Sequence, residues 1–274
     1  MSNLPARPRP TPALVGRASA RRPAVREAGS VSPATTRDEG GATEHGPPST
    51  SVTVDVVLLT LRAGRLCVLV ILRDEPPFQD YWALPGGFVG ADEDLDSSAR
   101  RQLAEETGVT TAGHLEQLYT YGDPGRDPRA RVVSVAYLAL LPNLPQPEPG
   151  RRGQQARWWP VEDLDSPEGP TLAFDHPRIV ADGVERARSK LEYTPMAAAF
   201  CEEPFTLADL RRVYEAAWGV SLDPPNFRRK VLSTPDFVVP VGAVSSPRGG
   251  GRPAQLYRRG SATALYPPLL RRSV

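Results

Sequence analysis

The chain has 274 residues, 40% of them hydrophobic and 24% charged, with a formal net charge of +1. That length allows one large or two modest domains, and no stretch approaches the roughly 20 apolar residues of a membrane-crossing helix. The start, MSNLPARPRPTPAL, lacks the apolar segment of a secretory leader, and the two cysteines, Cys67 and Cys201, sit in apolar patterns that read as buried thiols of a cytoplasmic protein.

The near-neutral total hides an asymmetry. Residues 1–50 carry net +3, residues 51–202 net −8 and residues 203–274 net +6. An acidic body joined to a basic end is the balance expected of an enzyme-like domain fused to a nucleic-acid-binding one, although small basic C-termini are common.

Residues 1–48 are rich in Pro, Ala, Arg, Ser and Thr. They hold too little apolar surface to offset ordering entropy and are expected to be a disordered tail. Order is expected from Ser51. Residues 52–60 and 65–73 are rich in β-branched side chains and read as two buried strands of a hairpin. Residues 82–84 read as a short extended piece, and Pro85-Gly86-Gly87 as a turn. Helical spacing runs from Asp94 to Thr107, with Gly108 as a left-handed stop. Strands are expected at 115–121, 132–141 and 156–161, with a polar loop at 122–131. Trp158 and Trp159 fit a core. Asp175 is placed to cap a helix whose apolar positions are Val180, Val184, Ala187 and Leu191. Strands mixed with two long helices give an α/β sandwich with a mixed sheet over residues 49–193.

Residues 194–274 follow another pattern. Thr194-Pro195 starts a short helix through Phe200. Thr206 and Asp209 have capping-box spacing ahead of the stripe Leu207, Leu210, Val213, Tyr214 and Ala217. Asp223-Pro224 opens a third helix, on which Phe227 and Val231 should face a core. Two strands, 237–241 and 254–258, flank a Gly-rich tip. Three short helices and a hairpin are the order of a C-terminal winged helix-turn-helix. Its cations are placed for DNA. Asn226, Arg228, Arg229 and Lys230 lie on the third helix, and Arg248 and Arg252 at the tip, where they could meet phosphates or base edges. A solvated basic face would also read this way.

The segment GFVGADEDLDSSARRQLAEETGV, residues 87–109, carries the chemistry. It resembles the Nudix box: Gly, five residues, Glu, seven residues, Arg-Glu-apolar-any-Glu-Glu-any-Gly-apolar. Gly87, Glu93, Arg101, Leu103, Glu105, Glu106, Gly108 and Val109 fill eight of the nine fixed positions. Residues three and four apart share a helix face, so positions 102, 105 and 106 converge. Carboxylates there would hold Mg²⁺, which favours carboxylates, phosphates and water. The resemblance implies metal ligation for Glu105 and Glu106, and a bracing role for Gly87, Glu93, Arg101 and Gly108. The ninth position departs: Gln102 stands where the family has Glu. An amide is a poorer ligand for a hard cation and cannot act as a base, so turnover should be weak or absent. Glu148 or Glu162 could instead assist from a loop. Arg73, just before the box, could meet a ligand phosphate. His176 reads as part of a helix N-terminus, His45 as part of the tail and His114 as the start of a strand.

The ordered region resembles the Nudix-related transcriptional regulators of NAD metabolism, over residues 82–109, 122–136, 205–230 and 251–258. The resemblance implies a homodimer that binds double-stranded operator DNA through its winged helices and senses ADP-ribose or a related metabolite. The alternative is an active Mg²⁺-dependent hydrolase that cuts ADP-ribose.

Overall fold

In the computed structural model the backbone of strand β1, Ser51–Arg62, runs through the middle of a mixed sheet. Its residues 53 to 60 are all buried, so both faces of the strand are covered, as its nearly unbroken apolar run requires. The structure describes residues 49–110, 115–147, 155–245 and 253–271. The expectations for residues 1–48, His45, His114, Glu148, Arg248 and Arg252 lie outside these.

Strand β2 (Arg65–Leu72) pairs antiparallel with β1, and β3 (Trp82–Ala83) lies beyond it. Strand β4 (Gly86–Phe88) pairs with the start of β1. Pro85-Gly86-Gly87 is therefore not a free turn, as its composition implied: both glycines belong to a strand. Strand β5 (Glu116–Tyr121) forms the far edge, beside β6 (Val132–Leu140), which runs parallel to β1 with Val54 opposite Val135. Strand β7 (Ala156–Pro160) pairs with β2.

A helix covers each face. Helix α1, Leu95–Thr107, starts at Asp94, whose carboxylate accepts the Ser97 N–H at 2.8 Å, and ends at Gly108 with φ of 69°. Its Ala99 and Leu103 pack against Val54, Val56, Leu58 and Leu69. Helix α2, His176–Tyr193, covers the other face through Ile179, Val180, Val184, Ala187 and Leu191. At Gly183 the helix backbone meets the sheet so closely that a Cβ would lie 2.8 Å from Val57 Cγ1. Asp175 precedes α2, but its side chain makes no capping bond. A buried arginine takes the carboxylate instead, as described below.

After α2 come a 3-10 segment (Pro195–Phe200), strand β8 (Phe205–Thr206), helix α3 (Leu207–Trp218), helix α4 (Pro224–Ser233) and strands β9 (Val238–Val244) and β10 (Gln255–Arg259). Strand β10 lies between β8 and β9 in a three-stranded sheet. Thr206 and Asp209 form a complete capping box on α3. Tyr214 on α3 meets Phe227 on α4 edge to face, with ring centroids 5.5 Å apart.

The two sheets share one hydrophobic core. Val57, Leu59, Val68 and Val70 belong to the same buried cluster as Leu210, Tyr214, Trp218, Phe227 and Val231. Polar contacts reinforce the junction: Tyr214 Oη donates to Leu191 O at 3.2 Å, and Trp218 Nε1 to Arg188 O at 3.1 Å. The last described segment returns to α2, where Leu265 N–H donates to Tyr193 O at 2.8 Å and Leu269 N–H to Glu192 O at 2.9 Å. A shared core couples the unfolding of its parts. Calorimetry should therefore give one transition for residues 49–271. Leu210→Ala, at a fully buried position, should lower the stability of that whole transition by about 2–5 kcal/mol. A separate, unshifted transition would show that the sheet folds independently of α3.

Candidate functional site

The box residues converge on a cavity of about 460 Å³. Gly86, Gly87 and Phe88 of β4 form one part of its lining, and Gln102, Glu105 and Glu106 of α1 another. The two parts touch because Gly86 and Gly87 carry no side chains. A Cβ on Gly86 would fall 2.3 Å from Val54 O, and one on Gly87 would fall 2.4 Å from Gln102 Nε2.

The Glu93 carboxylate meets Arg101 in a two-pronged pair, Nε to Oε1 and Nη2 to Oε2, both at 2.7 Å. It also accepts the Gly90 N–H, and Arg101 reaches Phe88 O at 3.5 Å. The pair ties the loop before α1 to the helix. Arg101 holds the Glu93 carboxyl down to about 2, well below the usual carboxylate value.

The three helix positions have three different environments. Gln102 donates its amide to Phe88 O at 3.4 Å, a bond that a carboxylate could not make. Glu105 lies 3.4 Å from Arg101 Nη1. Glu106 accepts the Gly86 N–H at 2.8 Å, and burial pushes its carboxyl up to about 8, with Asp55 and Glu105 adding to the rise. Among the described residues no three His, Cys, Asp or Glu side chains come together as a cation cage. Glu105 and Glu106 are the carboxylates that would hold a Mg²⁺ together with ligand phosphates and water, and Gln102 beside them is an amide already hydrogen-bonded to the backbone.

The floor of the cavity holds Asp55, to which sequence assigned no role, with Arg126 of the loop covered by the family resemblance. Asp55, 6% exposed, interrupts the apolar run of β1. Its carboxylate accepts the Ser134 hydroxyl and faces Arg126 Nη2 at 3.4 Å and His176 Nε2 at 3.5 Å. Arg126, from the loop after β5, donates to both oxygens of Asp175, at 2.9 and 2.7 Å. This pair is why Asp175 does not cap α2. His176 Nδ1 accepts the Leu84 N–H at 2.9 Å, which leaves the ring proton to Nε2, and burial lowers the ring's pKa. Sequence placed His176 only at a helix start. The structure puts its side chain in the cavity lining. The local signals for this network were a lone acid in an apolar strand and the resemblance of the loop that holds Arg126.

Arg73 also lines the cavity. Its guanidinium lies 4.9 Å from the Phe174 ring centroid, and it donates to Pro77 O and Glu75 O. Burial lowers its pKa. Trp158 is buried, as its context implied, and Trp159 is half-buried beneath Arg157. Glu162 pairs with Arg65 and does not line the cavity.

The basic helix α4 lies elsewhere. Phe227 and Val231 are buried, and Arg228 and Arg229 are exposed. Asn226 is half-buried and its side-chain oxygen accepts Arg229 Nη2 at 2.6 Å. Lys230 is half-buried, with its pKa lowered by burial and by Arg229.

Comparison with known proteins agrees with this two-part plan. Residues 49–182 match the NUDIX domain family, and residues 197–259 match the NrtR DNA-binding winged helix domain. The "ADPR responsive transcriptional repressor NtrR" of Acinetobacter baylyi is 34% identical over 213 residues, covering 77% of this chain and 82% of the relative. The crystal structure of Shewanella oneidensis NrtR complexed with a 27mer DNA is 35% identical with a TM-score of 0.60, covering 76% of this chain and 93% of that one. An ADP-ribose pyrophosphatase of Methanocaldococcus jannaschii is 33% identical over 115 residues, 42% of this chain and 64% of the relative. With both domain types in this order, and 34% identity to such a regulator over an alignment that covers most of both chains, the chain belongs to the NrtR family of Nudix-domain, winged-helix proteins.

Proposed function

We propose that this protein is a transcriptional regulator that binds operator DNA through residues 194–274 and takes ADP-ribose or a related NAD metabolite in the cavity of residues 49–193. One observation carries the reading. Helix α4 exposes Arg228 and Arg229 while burying Phe227 and Val231 in a core continuous with the sheet that lines the cavity. Repression is the direction given by the name of the Acinetobacter relative. Arg228, Arg229, Lys230 and Asn226 are the proposed DNA contacts, together with Arg248 and Arg252. A homodimer would place two such helices on half-sites about one helical turn apart.

Nudix hydrolases generally use a divalent cation such as Mg²⁺. Here Glu105 and Glu106 would hold the ion together with ligand phosphates and water, and with the neutral Gln102 in the third place we read Mg²⁺ as weakly held. Gln102 removes the third carboxylate, and the cavity is left as a binding site with impaired turnover. The second reading, an active ADP-ribose hydrolase, is favoured by the likeness to the Methanocaldococcus pyrophosphatase. Assaying DNA retardation and ADP-ribose hydrolysis on one preparation separates the two. Retardation that ADP-ribose alters supports the regulator. Turnover of about 1–10³ s⁻¹ without DNA binding supports the enzyme.

Arg228→Ala should weaken operator binding by about 1–3 kcal/mol without changing the melting temperature. Unchanged retardation would remove α4 from the DNA interface. Gln102→Glu should raise Mg²⁺-dependent hydrolysis of ADP-ribose by at least about 10²-fold, the scale of a catalytic acid–base group. Equal rates would show that the missing carboxylate is not what limits turnover.

The Glu106 carboxyl gives a pH signature. Its value rises from the ordinary 4.5 to about 8 on folding, so between these values the folded chain keeps a proton that the unfolded chain releases. The stabilising contribution is full below the lower value and is lost as pH rises through the upper one. The melting temperature of Glu106→Gln, neutral throughout, should fall less than that of wild type between pH 5 and about 8.5 in a chelating buffer. Parallel profiles would argue against a buried neutral carboxyl.

A further inference from the structure

One wall of the cavity carries two guanidiniums on a single aromatic ring. Arg73 lies 4.9 Å and Arg129 5.9 Å from the Phe174 centroid, and Arg129 is also 5.7 Å from the Phe88 ring. All four residues line the cavity. Phe174 is fixed from behind, edge to face with Phe78 at 4.7 Å and tilted against His176 at 5.4 Å.

Both guanidiniums are aimed by other groups. Asp127, 5% exposed, takes Arg129 Nε at 3.0 Å and Nη2 at 2.6 Å, and also accepts the Arg129 backbone N–H. Arg73 is held through Nε and Nη2 by Pro77 O and Glu75 O. In each case Nη1 makes no bond to any described residue.

Two like charges beside one ring repel. Asp127 offsets one of them, and the Glu106 carboxyl faces the same space. An anion with charge on two phosphates would meet both free Nη1 groups, whereas a monophosphate would satisfy one. Guanidiniums suit such contacts because their planar forks match phosphate oxygens and stack on aromatic faces at the same time.

We propose that Arg129 clasps the diphosphate of a nucleoside-diphosphate ligand together with Arg73, and that Asp127 is the positioning residue that turns Arg129 toward it. This deepens the functional reading above and rests on it. Sequence pointed to Arg73 alone. Arg129 joins the site only through the fold of the loop before β6.

The test is calorimetric titration of the full chain, in chelating buffer, with ADP-ribose, ADP and AMP. Arg129 is 46% exposed at its side chain, so its variants should fold, and melting temperatures check this. Arg129→Ala should weaken ADP-ribose and ADP about 10- to 100-fold, the scale of a lost charge-assisted hydrogen bond, and AMP less than about 3-fold. Arg129→Lys should recover part of the loss, and Asp127→Asn should fall between wild type and Arg129→Ala. Unchanged ADP affinity in Arg129→Ala, or an equal loss for AMP and ADP, would overturn the assignment while leaving the sensing role intact. A wild type that binds neither ADP-ribose nor ADP would bring down the sensing role and this assignment with it.

Discussion

The structure depends on a charge buried in an apolar strand. Strand β1 is covered on both faces, and Asp55 sits within it at 6% exposure. A carboxylate removed from water in this way needs hydrogen bonds and a counter-charge. Ser134, Arg126 and His176 supply them. Each comes from a different element: the neighbouring strand, the loop after β5 and the start of α2. Satisfying one acid therefore draws together the elements that form the cavity floor. Arg126 extends the set to Asp175, so the first residues of α2 are fixed by the same network.

The two faces of β1 separate two tasks. On one face α1 packs through small and apolar side chains, and its acidic residues reach the cavity. On the other face α2 packs, and the core continues from it into α3 and α4. The basic helix is thus joined to the cavity-lining sheet by close-packed side chains. Interiors at this density have low compressibility and transmit strain.

Much of this was legible in the sequence, because much of it is local. Helix α1 and its Gly108 stop, the Thr206–Asp209 capping box and the apolar stripes of α2 and α3 all depend on residues a few positions apart. The box around Gly87 was legible for the same reason. What escaped depended on distant partners. Asp175 has the composition and position of a cap, yet Arg126, 49 residues away, claims its carboxylate. Pro85-Gly86-Gly87 has turn composition, yet β1 recruits its glycines into a strand because no side chain blocks the approach. Phe174 and His176 lie far from the box in sequence and enter the cavity only through the sheet topology. Gln102 stood out as a lost carboxylate. Its amide contact with Phe88 O, which gives the neutral residue a structural use, needed coordinates.

Helix α2 joins these regions as a rod. Its 18 residues span about 27 Å at 1.5 Å each. Its first residue, His176, stands in the cavity lining, and near its other end Arg188 and Leu191 hold Trp218 and Tyr214. Between them lies the tight contact of Gly183 on Val57. At that contact, in the middle of the helix, a side chain would not fit. A tilt about that point would swing the two ends in opposite senses, so the cavity lining at His176 and the seat of Trp218 would move together.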